Sequence, residues 1–216
     1  MALTPRVTPF GERALLVELS EEFDEAAIGR ARAIADAWER LHVGVAVPAY
    51  ASVVLGFAAD QLTPDEAEER AREILAAVPS APGGDGARAT SEVIEIPTRY
   101  DGADLADVAA RSGVSVDELV SLHSGRTYTA YFLGFLPGFA YCGRLDPRIV
   151  APRLERPRER VPAGAVAVAD GQTGVYPFTS PGGWRLIGST HLAMFDPAAA
   201  QPSRLRAGDR VRFVPR

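Results

Sequence analysis

His123 and Gln172 are the two side chains best suited to catalysis by type and position. A histidine at the end of a short helix can act as a general base or contact a phosphate. The Gln172 amide both donates and accepts hydrogen bonds, as recognition of a urea or lactam group requires. Two plainer interpretations stay open: His123 as a cation that interacts with its helix dipole, and Gln172 as a turn residue facing water.

Binding candidates lie in an irregular stretch, residues 134–184, that is rich in glycine, proline and aromatic residues. Guanidinium groups suit carboxylate or phosphate oxygens, although the interleaved glutamates could instead pair with them in a solvated loop. Paired glycines expose backbone N–H groups that can hold an oxyanion, and tyrosines can pack a flat ligand or fill a barrel core. The predicted substrate-binding residues are Arg158, Arg160, Thr173, Tyr176, Ser180, Gly182, Gly183 and Trp184.

The basic residues are all arginine, and this excludes several chemistries. The chain has 23 basic residues and no lysine. It therefore has no lysine for a Walker-type phosphate loop, for a Schiff base or for biotin attachment. Any anion that this chain holds must be bound by arginine, histidine, backbone N–H groups or a helix N-terminus.

The composition, the net charge and the number of cysteines predict a cytoplasmic protein without a nucleic-acid or membrane partner. The net charge of -5 gives no basic signature, and no apolar run approaches the roughly 18 residues of a membrane span. The first residues lack the apolar core of a signal peptide. Cys142 is the single cysteine and no two histidines have ligand spacing, so we predict no disulfide and no metal site.

The elements that must position these residues divide into two parts. A turn-rich stretch at 79–87 and a change from acidic to basic charge predict domains at 1–88 and 89–216. The first part predicts the ferredoxin-like order β-α-β-β-α-β, whose last strand could equally belong to the second domain. Its predicted elements are the strand Ala14–Leu19, a helix from Ala27 to Leu41, the strands Val43–Val47 and Ser52–Phe57, a helix opened by the Thr63–Glu66 capping box, and the strand Glu92–Ile96.

The second part predicts a small barrel or sandwich. Two short helices, Leu105–Arg111 and one from Ser115 to about His123, come first. Many short strands separated by glycine and proline turns follow. The predicted strands are Thr127–Leu133, Ala165–Ala169, Gly174–Pro177, Trp184–Ile187 and His191–Phe195, and Leu205–Val214 closes the chain with a turn at Gly208-Asp209.

A series of motifs in this second part resembles the KipI family, which is the family of 5-oxoprolinase B subunits, also described as allophanate hydrolase subunit 1. The motifs occur in order and the resemblance extends over essentially the whole chain. They are Phe132–Tyr141, Leu145–Arg148, Pro152-Arg153, Pro157-Arg158, Val161–Gly164, Gln172–Pro177 and Ser180–Gly188. Cys142 stands where the family leads us to expect leucine, a small departure.

The resemblance implies a fold, a reaction and partners. The fold is α+β, with a ferredoxin-like N-terminal domain and a cyclophilin-like β-barrel. The reaction is ATP-driven opening of the 5-oxoproline lactam to glutamate, carried out by an ATP-hydrolysing complex in which this chain is inactive alone. The partners are a KipA-like subunit together with a LamB/YcsF-type subunit, and ATP could be bound by, or shared with, one of them. On this basis we expect His123, Arg160, Gln172 and the Ser180–Trp184 loop to line a cleft shared with the KipA-like partner.

Two other functions stay open at this stage. KipI-type members can inhibit a sensor histidine kinase, which would make the chain a regulatory binding protein. Related paired domains form the carboxyltransferase part of urea carboxylase, in which the acceptor is urea. Urea and 5-oxoproline are both small planar amides, so the chemistry of Gln172 suits either substrate.

Overall fold

A computed structural model of the chain describes residues 5–20, 25–79 and 92–216. These residues belong to two compact units, the first ending at 79 and the second beginning at 92. The predicted linker at 79–87 lies outside the described residues except for Pro79, so the division at 88 and 89 stays a prediction. Both units mix helices with sheets, which confirms the α+β class. No described helix combines the length and the apolar character needed to traverse a bilayer.

The first unit is one antiparallel sheet with two helices. Its elements are β1 (Arg6–Pro9), β2 (Ala14–Glu18), α1 (Glu25–Glu39), β3 (Ala46–Pro48), β4 (Ser52–Gly56) and α2 (Pro64–Ala77). The strand order is β1-β2-β4-β3, and alternate residues of β2 and β4 pack with both helices into one apolar cluster. The predicted capping box is confirmed, because Thr63 accepts a hydrogen bond from the Glu66 N–H and the Glu66 carboxylate accepts one from the Thr63 N–H.

The predicted β-α-β-β-α-β order of this unit is wrong, and the alternative that its last strand belongs to the second domain is confirmed. The strand predicted at Glu92–Ile96 is β5 (Ile94–Thr98), which pairs in parallel with the last strand of the second unit. The fourth strand of the first sheet is instead β1, which the sequence analysis did not predict. Four residues bounded by a proline carry too little alternation to be recognised as a strand.

The second unit is built on a seven-stranded, barrel-like sheet. After β5 come α3 (Leu105–Ser112), α4 (Val116–Ser124), β6 (Tyr128–Leu133), β7 (Ala140–Gly143), β8 (Arg158–Val161), β9 (Ala165–Ala169), β10 (Gln172–Val175), β11 (Ser180–Gly182), β12 (Arg185–Ser189) and β13 (Arg210–Pro215). The sheet order is β12-β9-β10-β7-β6-β13-β5, and β8 and β11 form a separate two-stranded ribbon. Reciprocal 2.8 Å backbone hydrogen bonds between Arg99 and Ser189 join the two outer strands and nearly close the barrel. The strand predicted at His191–Phe195 is wrong, since only Phe195 makes an isolated bridge.

Side chains pack against both faces of this sheet around β9, and all five residues of β9 are buried. Val166 and Val168 belong to the main apolar core, to which seven of the strands and both helices contribute. Ala165, Ala167 and Ala169 point to the opposite face and pack with a second cluster that is rich in aromatic residues. Small side chains on one face and branched ones on the other let the same strand pack against large rings and against the core.

Candidate functional site

Strand β10 separates two of the predicted site residues. Gln172 pairs with Ala169 and Thr173 pairs with Val168 in the register of β9 and β10. Successive side chains of a strand point to opposite faces. Gln172 therefore lies on the aromatic face of the sheet, and Thr173 lies on the face of the main core.

His123 belongs to the main core with Thr173. Its Nε2 is 2.8 Å from Thr173 Oγ1, and its Nδ1 is 2.7 Å from the Tyr100 hydroxyl. Thr173 Oγ1 donates its single proton to the Ala167 carbonyl at 3.1 Å. The threonine oxygen must then accept from His123 Nε2–H, so Nδ1 accepts from Tyr100. These directions assign one neutral tautomer to the ring.

This position favours a structural role for His123. The side chain is fully buried, and the burial lowers its pKa from the ordinary 6.5 to about 3. His123 lies in the last turn of α4, as expected. Its imidazole is neutral, however, so it does not act as a cation that interacts with the helix dipole. Both ring nitrogens already have protein partners, so the ring does not present a free nitrogen to a substrate.

The opposite face of the sheet carries an aromatic cluster, which we define as Phe139, Tyr141, Tyr176 and Trp184. Phe139 lies at its centre, with ring centroids 5.0 Å from Tyr141 and 5.3 Å from both Tyr176 and Trp184. All three contacts are edge-to-face, the geometry that aromatic rings prefer. Phe135 lies over the cluster 5.6 Å from Phe139 and is 60% exposed.

The backbone at Phe135 adopts a conformation that bulky residues rarely take. Its φ of +68° lies in the left-handed region, where a side chain larger than that of glycine is strained. The surrounding turn imposes this conformation and holds an exposed aromatic ring above Tyr176, at a centroid distance of 6.3 Å. Exposed aromatic rings beside a buried cluster are typical of surfaces that bind a ligand or a protein.

Arg158 is fixed beside this cluster by a carboxylate from another element. Its Nη2 donates to Asp104 Oδ1 at 2.7 Å, and Asp104 Oδ2 accepts the Leu186 N–H at 2.7 Å. Asp104 is 7% exposed, whereas the Arg158 side chain is 29% exposed. Arg158 Nη1 is enclosed and has no hydrogen-bond partner. The guanidinium therefore uses only part of its donor set within the protein.

Gly182 brings the ribbon close to the aromatic cluster. It pairs with Arg158 across β8 and β11, and a Cβ added at Gly182 would lie 2.3 Å from the Tyr176 hydroxyl oxygen. The same hydroxyl accepts a hydrogen bond from the backbone N–H of Trp184. Burial raises the pKa of Tyr176, and the charge of Arg158 acts weakly against that shift. At Gly183, by contrast, an added Cβ would stay 3.7 Å or more from its neighbours.

The structure thus brings some predicted site residues together and separates others. Arg158, Tyr176, Gly182, Gly183 and Trp184 lie in one region, and Ser180 is buried on the same ribbon, where its Oγ bonds to the Pro181 carbonyl at 3.2 Å. Arg160 is exposed on β8. His123 and Thr173 lie on the far face of the sheet from the aromatic cluster.

Asp104 lies in the same region and was not among the predicted residues. It stands immediately before α3, where an aspartate is expected to cap the helix, yet its side chain makes no capping hydrogen bond. Its two oxygens instead bind Arg158 and the Leu186 N–H. Arg158 is 54 residues away along the chain, so no local pattern reveals the pairing. No group of three or more histidine, cysteine or carboxylate side chains in the described ranges is placed to hold a metal ion.

Relatives named as the B subunit of 5-oxoprolinase match a little over half of the chain. The Escherichia coli O157:H7 protein is 54% identical over 128 residues, which are 58% of this chain and 59% of that protein. The Bacillus subtilis (strain 168) protein is 48% identical over 125 residues, which are 56% of this chain and 52% of that protein. The match therefore spans little more than half the length of these curated relatives. The names confirm the resemblance to the family of 5-oxoprolinase B subunits.

Solved structures extend the likeness to nearly the whole chain. The crystal structure of TTHA0988 has 41% identity and a TM-score of 0.81, covering 94% of this chain and 40% of its own. PH0987 from Pyrococcus horikoshii has 40% identity and a TM-score of 0.57, covering 98% of this chain and 97% of its own. The K. lactis urea amidolyase, at 18% identity and a TM-score of 0.72, shares the fold. Since residues 5–205 match the family described as the carboxyltransferase domain, subdomain C and D, the chain belongs to that family.

Proposed function

We propose that this chain is the B subunit of an ATP-dependent 5-oxoprolinase, which opens the 5-oxoproline lactam to glutamate. The observation that carries the proposal is the identity of 54% and 48% to two proteins that bear this name. We further propose that the second unit is a cyclophilin-like barrel and that the domains are residues 1–88 and 89–216.

The aromatic face of the second unit supplies chemistry that suits a small lactam. Phe135 is 60% exposed and Tyr141 is half-buried, so these two rings offer apolar surface for the methylene groups of the lactam. Arg158 supplies a guanidinium at the edge of that surface. Gln172 lies on the same sheet face, where an amide side chain is suited to the amide of a lactam. This is the face on which we expect substrate contacts.

The reaction also needs ATP and other subunits. Phosphorylation of the lactam carbonyl oxygen would activate a stabilised amide toward water. This chain has no lysine for a phosphate loop, so the proposal assigns the main nucleotide contacts to another protein of the complex. We propose a KipA-like subunit together with a LamB/YcsF-type subunit for these partners, and we propose that this chain is inactive alone and acts in the cytoplasm.

The test is glutamate release from 5-oxoproline, with and without ATP. The chain would be assayed alone, with the KipA-like partner only, and with both partners from the same gene neighbourhood. We expect ATP-dependent glutamate in the complete mixture and none from the chain alone. A folded complete mixture that releases no glutamate would overturn the proposal. Urea-dependent ATP hydrolysis in that mixture would support the carboxyltransferase alternative.

A further inference from the structure

The sheet of the first unit has its two helices on one face only. Alternate residues of β2 and β4 are buried in the apolar cluster that contains α1 and α2, namely Leu15, Val17, Val53 and Leu55. The residues between them point to the opposite face, because successive side chains of a strand alternate. An antiparallel sheet with one face in water normally carries polar residues on that face. This sheet does not follow that pattern.

The face without helices, which we call the outer face, is made of three rows that run across the strands. The register of the strand pairs gives one row of Thr8, Leu16, Val54 and Val47, a second of Phe10, Ala14, Gly56 and Val45, and a third of Arg6, Glu18 and Ser52. Phe10, Val45 and Val47 are 56%, 68% and 53% exposed. Two adjacent rows are therefore largely apolar and reach solvent, which is typical of a surface that binds another protein.

The outer face is better suited to association than the edges of the sheet. The two outer strands are β1 and β3, and they end in Pro9 and Pro48. Proline lacks the N–H that would pair an additional strand, and short edge strands with proline protect a sheet from edge-to-edge pairing. We therefore expect a partner to pack flat against the outer face, as a second sheet does in a β-sandwich.

The charges of the outer face suit a second copy of the chain. Among the described residues of the three rows, the charged ones are Arg6 and Glu18, whose side chains form an ion pair at 2.7 Å. The outer face is therefore neutral, whereas α2 on the opposite side of the sheet has an excess of acidic residues. Two copies that met through their helices would repel each other, and two that meet through the outer face do not. A two-fold axis can also bring Arg6 of each copy toward Glu18 of the other.

The shape of the outer face also fits a second copy. A flat apolar sheet face is complementary to another such face, and around β9 the sheet of the second unit already has side chains packed on both of its faces. The matching surface that this chain supplies is thus the outer face of another copy. Four strands about 4.8 Å apart make a face about 14 Å wide. A contact of this width is at the small end of specific interfaces, so we expect a dissociation constant in the micromolar range.

We propose that the outer face binds the outer face of a second copy of this chain, so that the chain forms a symmetric dimer through its first unit. The same residues then serve both sides of the interface, as in other two-fold dimers. Phe10, Val45 and Val47 lose their exposure to water on both copies, which favours association. The dimer does not depend on the proposed reaction, and it places two copies of this chain in any complex that contains it.

Sedimentation equilibrium of the full chain, from about 1 to 200 µM, measures the dissociation constant. Val47→Glu places a carboxylate on the outer face of each copy. Val150→Glu is the matched control, because Val150 is a valine of the second unit that is 48% exposed, close to the 53% of Val47. We expect the parent and the control to dimerise equally, and Val47→Glu to raise the dissociation constant by about 30-fold or more. Circular dichroism checks that both variants are folded.

Methyl NMR of the unmodified chain tests the same surface without a substitution. We expect the methyl signals of Val45 and Val47 to shift with protein concentration and those of Val150 to stay fixed. A monomer over the whole concentration range would overturn the proposal, and so would a Val47→Glu variant that dimerises as tightly as the parent. A monomeric parent whose binding to another subunit is weakened by Val47→Glu would assign the outer face to that subunit instead. Loss of the proposed oxoprolinase function would leave the dimer standing.

Discussion

The burial of His123 leads to a prediction about how the stability of the second unit changes at acid pH. His123 is neutral in the folded protein because burial lowers its pKa to about 3. In the unfolded chain the same group titrates near its ordinary value of 6.5. Between these two pH values the unfolded state binds more protons than the folded state, so the free energy of unfolding decreases as the pH falls. Stability from the neutral ring is complete above about pH 6.5 and is lost toward pH 3.

The size of the effect follows from the proton count. A difference of one bound proton changes the free energy of unfolding by about 1.4 kcal/mol per pH unit. Between pH 6 and pH 5 the unfolded histidine is mostly but not fully protonated, so we expect His123 to account for about 1.2 kcal/mol in that interval. Carboxylates that titrate in the same range add to the total. The contribution of His123 is therefore the difference between the protein and a variant without this imidazole.

Urea unfolding at pH 7, 6 and 5 measures this difference. The chain has two tryptophans, so a Trp38→Phe background leaves Trp184 to report on the second unit alone. His123→Gln keeps a donor and an acceptor for Tyr100 and Thr173 and should lose less stability on acidification than the parent. His191→Gln is the matched control, since His191 is an exposed histidine of the same unit, and it should follow the parent.

Two results would refute this reasoning. One is an equal decrease in unfolding free energy between pH 6 and pH 5 for the parent and His123→Gln. The other comes from NMR of the unmodified protein: a His123 ring signal that titrates near neutral pH in the folded state would show that the imidazole is accessible to protons. The NMR measurement also covers the case in which His123→Gln does not fold.

Three further predictions concern single positions. Gly182→Ala should destabilise the second unit by about 1–3 kcal/mol because its Cβ meets the Tyr176 hydroxyl; Gly183→Ala should unfold at nearly the parent temperature, and equal effects would contradict the packing. Cys142 should react with a thiol reagent only on unfolding, since burial raises its pKa to about 12, and rapid labelling of the native protein would contradict this. Thr63→Ala should lower the stability of the first unit by about 1 kcal/mol in thermal melts followed by Trp38 fluorescence, because it removes the cap of α2; an unchanged melt would show that the cap contributes little.

Local signals in the sequence predict local structure well. The Thr63 cap and the apolar face of the helix that became α1 depend on residues within one or two turns, and both are present. The pairing of β5 with β13 joins Ile94 to Val211, far apart in the chain. Such a pairing depends on the whole barrel, so β5 could not be assigned to a sheet from its own alternation. The ferredoxin-like order failed at the strand whose partner was the most distant.

The proximity of the candidate residues was predicted only in part, for the same reason. The motif residues Arg158, Tyr176 and Gly182 were recognisable by type, and the structure brings them together. Asp104, which orients Arg158, carried no signal because its partners are 54 and 82 residues away. A carboxylate in front of a helix is normally interpreted as a cap. Only the three-dimensional structure shows that the Asp104 carboxylate binds Arg158 of the two-stranded ribbon instead.

The structure places the side chains of Gln172 and Thr173 on opposite faces of the sheet, which alternation along a strand alone could have shown. Two neighbours in a strand point to opposite faces, so they cannot line the same cleft. Because Gln172 lies on the same face as Ala169, the side chain of Thr173 must face the main core. His123 lies on that core side as well, since its Nε2 is hydrogen-bonded to Thr173 Oγ1 at 2.8 Å. The sheet therefore lies between the His123 imidazole and the aromatic face. Under the proposed function, with the substrate on the aromatic face, a proton must be transferred by a group other than His123, because that ring is buried and both of its nitrogens are hydrogen-bonded.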